Sequence, residues 1–120
     1  MESPLTAFLG TPAFAIPILH AIEELGWPVV GVYTGPDRPA GRGRTLSTSP
    51  VKRYAQSRGM KVLSPGTVRG NDHLETLRAL SPDLLVLAAY GRLLPGEFLK
   101  VAGCGALNVH PSLLPLYRGA

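Results

Sequence analysis

Leu84-Leu85-Val86-Leu87-Ala88-Ala89 is the stretch that decides the fold. It is the most hydrophobic run in the chain, and an apolar run this short reads as a central strand buried between covering layers. Upstream, Asp72 and Glu75 form a capping pair for a helix expected to bury Leu74, Leu77 and Leu80. Before that come a short strand over Lys61 to Leu63 and a helix opened by Ser49-Pro50, with Val51, Tyr54 and Ala55 inward, ending at Gly59.

Further out, Val29 to Tyr33 is a Val-rich strand and Thr6 to Leu9 an apolar strand stopped by Gly10. Thr11-Pro12 reads as cap and first-turn proline of a helix running to about Leu25, with Phe14, Ile18, Ile22 and Leu25 inward and Glu23 and Glu24 outward. Gly26 supplies its left-handed stop. Downstream, a short helix around Glu97 to Val101 precedes a fifth strand over Ala106 to His110. Strands separated by helices are joined by crossovers. The expected fold is therefore α/β, a Rossmann-like open, mainly parallel sheet with helices on both faces and strand order 3-2-1-4-5.

The chain has 120 residues, enough for one domain and one modest core that buries roughly two thirds of the unfolded surface. Hydrophobic residues make up 45% and charged residues 17%, which argues against disorder. The 14 glycines and 12 prolines punctuate loops at Pro36 to Gly43, Ser64 to Gly70 and Gly91 to Gly96. No apolar stretch approaches the roughly 18 residues needed to span a membrane, and Met1-Glu2-Ser3-Pro4 lacks a basic signal-peptide start, so a cytoplasmic protein is expected. Cys104 is the single cysteine. It can form neither an intrachain disulfide nor a Cys-based metal site, and is expected to be a small packed residue. His20 and His73 lack ligand spacing, and no metal site is expected.

In parallel α/β sheets ligands bind beyond the carboxyl ends of the strands. Gly10-Thr11-Pro12, Ala89-Tyr90-Gly91 and Asn108 to Pro115 all follow strand ends and should lie along one edge. The turn Gly10 to Phe14 lacks the Gly-x-Gly-x-x-Gly fingerprint, which sets nicotinamide and flavin dehydrogenases aside. Asn108 and His110, two apart on a strand, should share a face opposite Leu107 and Val109. An amide and an imidazole on one spot can pair an oxyanion donor with a proton-transfer group, since histidine ordinarily titrates nearest neutrality. The plainer alternative is that both satisfy hydrogen bonds at a strand end. Ala89-Tyr90-Gly91 is open in the same way, between a ligand wall and a tight strand exit. The net charge of +4 does not by itself indicate nucleic acid. Arg38, Arg42 and Arg44, however, cluster in a long irregular loop over Thr34 to Thr48, either as phosphate contacts or as a solvated surface. Asp37 reads there as a turn residue or a partner for a loop arginine.

Gly10-Thr11-Pro12, Pro36-Asp37-Arg38-Pro39-Ala40-Gly41-Arg42-Gly43, Ser49-Pro50-Val51-Lys52, Ala89-Tyr90-Gly91, Asn108-Val109-His110-Pro111-Ser112-Leu113-Leu114-Pro115 and Tyr117-Arg118-Gly119-Ala120 stand in the order of one family. Over nearly its whole length the chain resembles methionyl-tRNA formyltransferases. The Asn-x-His and Ser-Leu-Leu-Pro motif is shared by folate-dependent formyl-transferring enzymes, whereas Pro-Asp-Arg-Pro-x-Gly-Arg-Gly points to the tRNA branch. The resemblance implies transfer of a formyl group from 10-formyltetrahydrofolate to the amino group of methionyl-initiator tRNA in translation initiation. It further implies Asn108 and His110 as catalytic residues. Ala89, Tyr90, Gly91, Ser112, Leu113, Leu114 and Pro115 would line the folate site, and Arg38, Arg42 and Arg44 would contact tRNA, Arg42 foremost.

In that family the catalytic domain continues into a loop with an Asp that orients and charges the His, and then into a tRNA-binding β-barrel. Residues 1–120 are thus expected to be a partial catalytic domain, without the carboxyl-terminal tRNA-binding domain and with impaired turnover. The alternatives are a related formyltransferase acting on a sugar nucleotide or glycinamide ribonucleotide, and a non-catalytic folate- or RNA-binding fragment. Oligomeric state is not legible.

Overall fold

The computed structural model describes residues 2–40, 43 and 45–110. Its centre is β1 (Thr6–Gly10), every residue of which is buried. On one side lies β2 (Val29–Tyr33), paired directly with β5 (Val62–Leu63), the separate hairpin strands β3 (Arg38–Ala40) and β4 (Thr45–Ser47) falling between them in the chain alone; on the other side lie β6 (Leu84–Ala88) and β7 (Ala106–Asn108). The order β5-β2-β1-β6-β7 is the expected 3-2-1-4-5 counted over the sheet's own strands, and all four pairings are parallel.

The pleat sorts the apolar side chains into two cores. Ala7 and Leu9 of β1, Tyr33 of β2 and Leu85 of β6 face one side, where they meet Leu74 and Leu77 of α3 (Asn71–Leu80) and Phe98 of α4 (Gly96–Leu99). Phe8, Val32, Val86 and Ala88 face the other, against Leu19 and Ile22 of α1 (Ile16–Glu24) and Val51 and Ala55 of α2 (Pro50–Ser57). Alternation with period two thus places helices on both faces. Each buried Leu or Phe stabilises the fold by roughly 1.5–3 kcal/mol relative to exposure.

Several local expectations are corrected. Residues Ala13–Ala15 form a 3-10 turn before α1; Ile22 is buried and Ile18 packs against the core as expected, but Ala15 and Leu19 are buried too, while Phe14 and Leu25 are 48% and 59% exposed. Glu23 does not face away. It bonds the Tyr54 hydroxyl and the Arg58 guanidinium, tying α1 to α2. The loop expected over Thr34 to Thr48 contains an antiparallel hairpin, β3 (Arg38–Ala40) and β4 (Thr45–Ser47). α3 is preceded by Gly70 with no side-chain cap, and Glu75 pairs instead with Arg78 Nη1 at 2.9 Å. Cys104 is exposed rather than packed. Ser49 caps α2 as expected, accepting from Lys52 N at 2.9 Å, and Gly26 ends α1 with φ of 78°. Among the described residues no helix is long and apolar enough to cross a membrane.

Candidate active site

The carboxyl ends of β1, β2, β6 and β7 open onto two adjoining clefts. The first, about 500 Å³, runs from Thr11 and Pro12 past Gly35 and Arg38 to Ser49 and Pro50. The second, about 340 Å³, is bounded by Phe14, Leu87, Leu94, Asn108, Val109 and His110. Both volumes fall within the roughly 300–1,000 Å³ of small-molecule sites. The segment Ala89 to Arg92 lines both, as a shared wall.

That wall is made by an unusual strand exit. Ala89 has φ of 58° and Gly91 φ of 81°, both left-handed. For Ala this conformation costs roughly 1–2 kcal/mol, so the surroundings must hold it. Part of the hold comes from Thr11, whose hydroxyl donates to the Tyr90 carbonyl at 3.0 Å and accepts from Gly35 N at 3.1 Å. Thr11 therefore does not cap the following helix. The turn that follows β1 begins at Pro12, with no side-chain cap.

Asn108 and His110 line the second cleft together. The strand ends at Asn108, so His110 lies just beyond it, not within it as the sequence suggested; Val109 N still bonds the Leu87 carbonyl at 2.7 Å, continuing the β6 register. Val109 packs against the core under α1 and α2, and Leu107 is 52% exposed. Burial, joined by the Tyr90 charge, pushes the Tyr33 phenol up to about 12; burial also raises Tyr90, against the opposing pull of Arg92. Both phenols stay protonated at neutral pH.

The hairpin stands over the first cleft. Its root is fixed by the buried Thr34 and Ser49 hydroxyls, 2.6 Å apart, and by Lys52 Nζ, 3.0 and 3.2 Å from the two Asp37 carboxylate oxygens. Among the described residues, Asp37 thus partners a lysine of α2. Arg38 is exposed and lines the first cleft. Arg42, Arg44, Ser112, Leu113, Leu114 and Pro115 lie outside the described residues. The structure brings Asn108, His110, Ala89, Tyr90 and Gly91 to one cleft. Sequence reasoning missed three contributors: Phe14, assigned to the core; Thr11, assigned to a cap; and Arg92, which lines both clefts and donates to Gly66 O at 2.8 Å. For Arg92 the signal was present, a cation directly after a strand-exit glycine.

Comparison with known proteins agrees with this geometry. A family model described as Formyl transferase matches residues 5–120. The methionyl-tRNA formyltransferase of Chloroflexus aggregans is 53% identical over 93% of this chain and 36% of its own length. That of Anaeromyxobacter dehalogenans is 54% identical over 95% and 36%, and that of Methylococcus capsulatus 50% identical over 94% and 37%. The chain spans little more than a third of the length of these curated relatives. A match across nearly all of a chain whose strand order was already legible leaves no ambiguity of class: the chain belongs to the formyl transferase family.

Proposed function

We propose that these residues are part of the catalytic domain of a cytoplasmic methionyl-tRNA formyltransferase, moving the formyl group of 10-formyltetrahydrofolate to the α-amino group of methionyl-initiator tRNA. The observation that carries the reading is the convergence of Asn108 and His110 on one cleft that Ala89 to Arg92 also line. The amine nitrogen attacks the formyl carbon, and its C=O electrons move onto oxygen. Asn108 donates a hydrogen bond to that oxyanion, as does His110 when protonated. Protonated His110 gives its proton to the folate nitrogen, which leaves as the C–N bond breaks and the carbonyl re-forms, and the neutral imidazole takes up the proton lost by the attacking nitrogen.

Backbone groups of Ala89, Tyr90 and Gly91 suit a flat, hydrogen-bonding ring. Ser112 to Pro115 follow His110 after the single residue Pro111, which supports their place in the same folate site. Arg38, with Arg42 and Arg44 close by in the sequence, would contact acceptor-stem phosphates, where guanidinium forks bind well. The test is formylation of methionyl-tRNA by the full-length protein. His110→Ala and Asn108→Ala should each lose about 10²–10³ in kcat. A fully active His110→Ala protein sinks the assignment, and an Arg42→Ala protein with undiminished tRNA affinity sinks the role given to the arginines.

A further inference from the structure

We infer that Thr11 is a positioning residue: its single hydroxyl pins the Tyr90 carbonyl on the shared wall to the Gly35 amide at the root of the hairpin, and so holds the two clefts in the alignment that group transfer needs. The inference rests on the formyl-transfer reading above. Its basis is connectivity. Thr11 follows β1, Gly35 follows β2 and Tyr90 follows β6, so one oxygen reaches the exits of three strands. The Thr11 carbonyl adds a third tie, accepting from Val51 N of α2 at 3.4 Å.

The β1–β6 register ends at Gly10 opposite Ala88, and the wall begins at the next residue. Beyond that rung the Ala89 to Gly91 backbone has no other side-chain hydrogen bond among the described residues. A left-handed Ala89 that nothing held would relax toward ordinary backbone, carrying the Tyr90 carbonyl with it. Thr11 suits the task because a hydroxyl donates and accepts at once. Valine has the same shape and can do neither.

Reaction between groups bound in adjoining clefts depends steeply on their separation, and a misplacement of about 1 Å can cost on the order of 10²-fold. Thr11→Val in the full-length protein should therefore lower kcat by about ten- to a hundredfold while KM for each substrate stays within about threefold. Thr11→Ser, which keeps the oxygen, should restore kcat to near the wild-type value. An unchanged kcat in Thr11→Val, or a loss carried entirely by KM, overturns the inference.

Hydrogen exchange gives a readout independent of turnover. The Gly35 amide should exchange at least about tenfold faster in Thr11→Val than in wild type, because its acceptor is gone. Unaltered Gly35 exchange overturns the inference whatever the kinetics show. If Thr11→Val does not fold, the same measurements on Thr11→Ala decide the matter by the same outcomes. A wild-type protein without formyl transfer rejects the functional reading by itself, and the exchange experiment then still decides whether Thr11 is the pin.

Discussion

Gly10→Ala should damage both the sheet and the site, for a reason visible in the spacing at the end of β1. A Cβ built on Gly10 would lie 2.8 Å from the Ala88 carbonyl oxygen, 2.8 Å from Phe8 Cε2 and 3.0 Å from Phe8 Cζ. Carbon contacts relax at roughly 3.5–4.0 Å, so a displacement of about half an ångström or more is required. Neither neighbour gives easily, since the carbonyl belongs to backbone paired with β1 and Phe8 is fully buried. Overpacking of this kind costs roughly 1–3 kcal/mol, offset by about 0.4–1 kcal/mol from the reduced entropy of the unfolded chain.

The net is a loss of about 1–2 kcal/mol, or on the order of 5 °C in Tm for a domain of this size. Gly31→Ala is the control. There the added carbon would meet Leu80 Cδ1 at 2.9 Å and Leu63 Cδ1 at 3.3 Å, methyl ends of side chains that can rotate away. Its stability should stay within about 0.5 kcal/mol of wild type. Urea unfolding of both variants checks the pair. Equal destabilisation, or a neutral Gly10→Ala, would refute the distinction between a rigid and a yielding neighbour.

Other expectations are simpler to state. Tyr33 Oη has no hydrogen-bond partner among the described residues, so Tyr33→Phe should leave stability at pH 7 unchanged or raise it by up to about 1 kcal/mol in a denaturant titration. The same variant should flatten the alkaline limb: a phenol raised to about 12 when folded contributes stability fully present below pH ~10, where unfolded tyrosine titrates, and lost as pH rises toward 12. A wild-type protein with no steeper alkaline loss than Tyr33→Phe would contradict the burial argument. Burial alone would raise the Glu23 carboxyl, yet the bonds from Tyr54 and Arg58 and the Arg58 and His20 charges outweigh it and hold it below the ordinary value. Stability from Glu23 is therefore present above pH ~4.5 and is lost as pH falls through its lowered folded value. Glu23→Gln should shrink the acid-side loss in melts between pH 5 and 3. Asp37→Asn should cost at most about 1 kcal/mol, because both partners are partly exposed to solvent, and a double cycle with Lys52→Met measures the pair.

The strand order was legible because burial of a parallel sheet leaves apolar runs separated by helical periodicity, and crossover rules admit few arrangements. That Asn108 and His110 share one cleft was legible from their spacing, although the strand stops at Asn108 and His110 stands just outside it. The errors have separate causes. Phe14 and Leu25 fit a helical period, but Phe14 lies in the 3-10 turn over Ala13–Ala15, before the helix, and Ala15 and Leu19 turn inward along with Ile22. Phe14 instead lines the cleft beside Asn108 and His110.

Thr11 shows why such a site resists local reading. Threonine before proline after a strand satisfies every local rule for a helix cap. Its real partners are Gly35 and Tyr90, 24 and 79 positions away, and no window of sequence contains them. The hairpin was hidden differently: a Gly/Pro-rich stretch with exposed strands carries no buried face to generate an alternating pattern. What sequence rules read well is what burial enforces on each element separately. The residues that align one strand exit with another obey geometry among elements, and for that reason the clefts of this sheet had to be found where Thr11, Gly35 and the Ala89 to Arg92 wall meet.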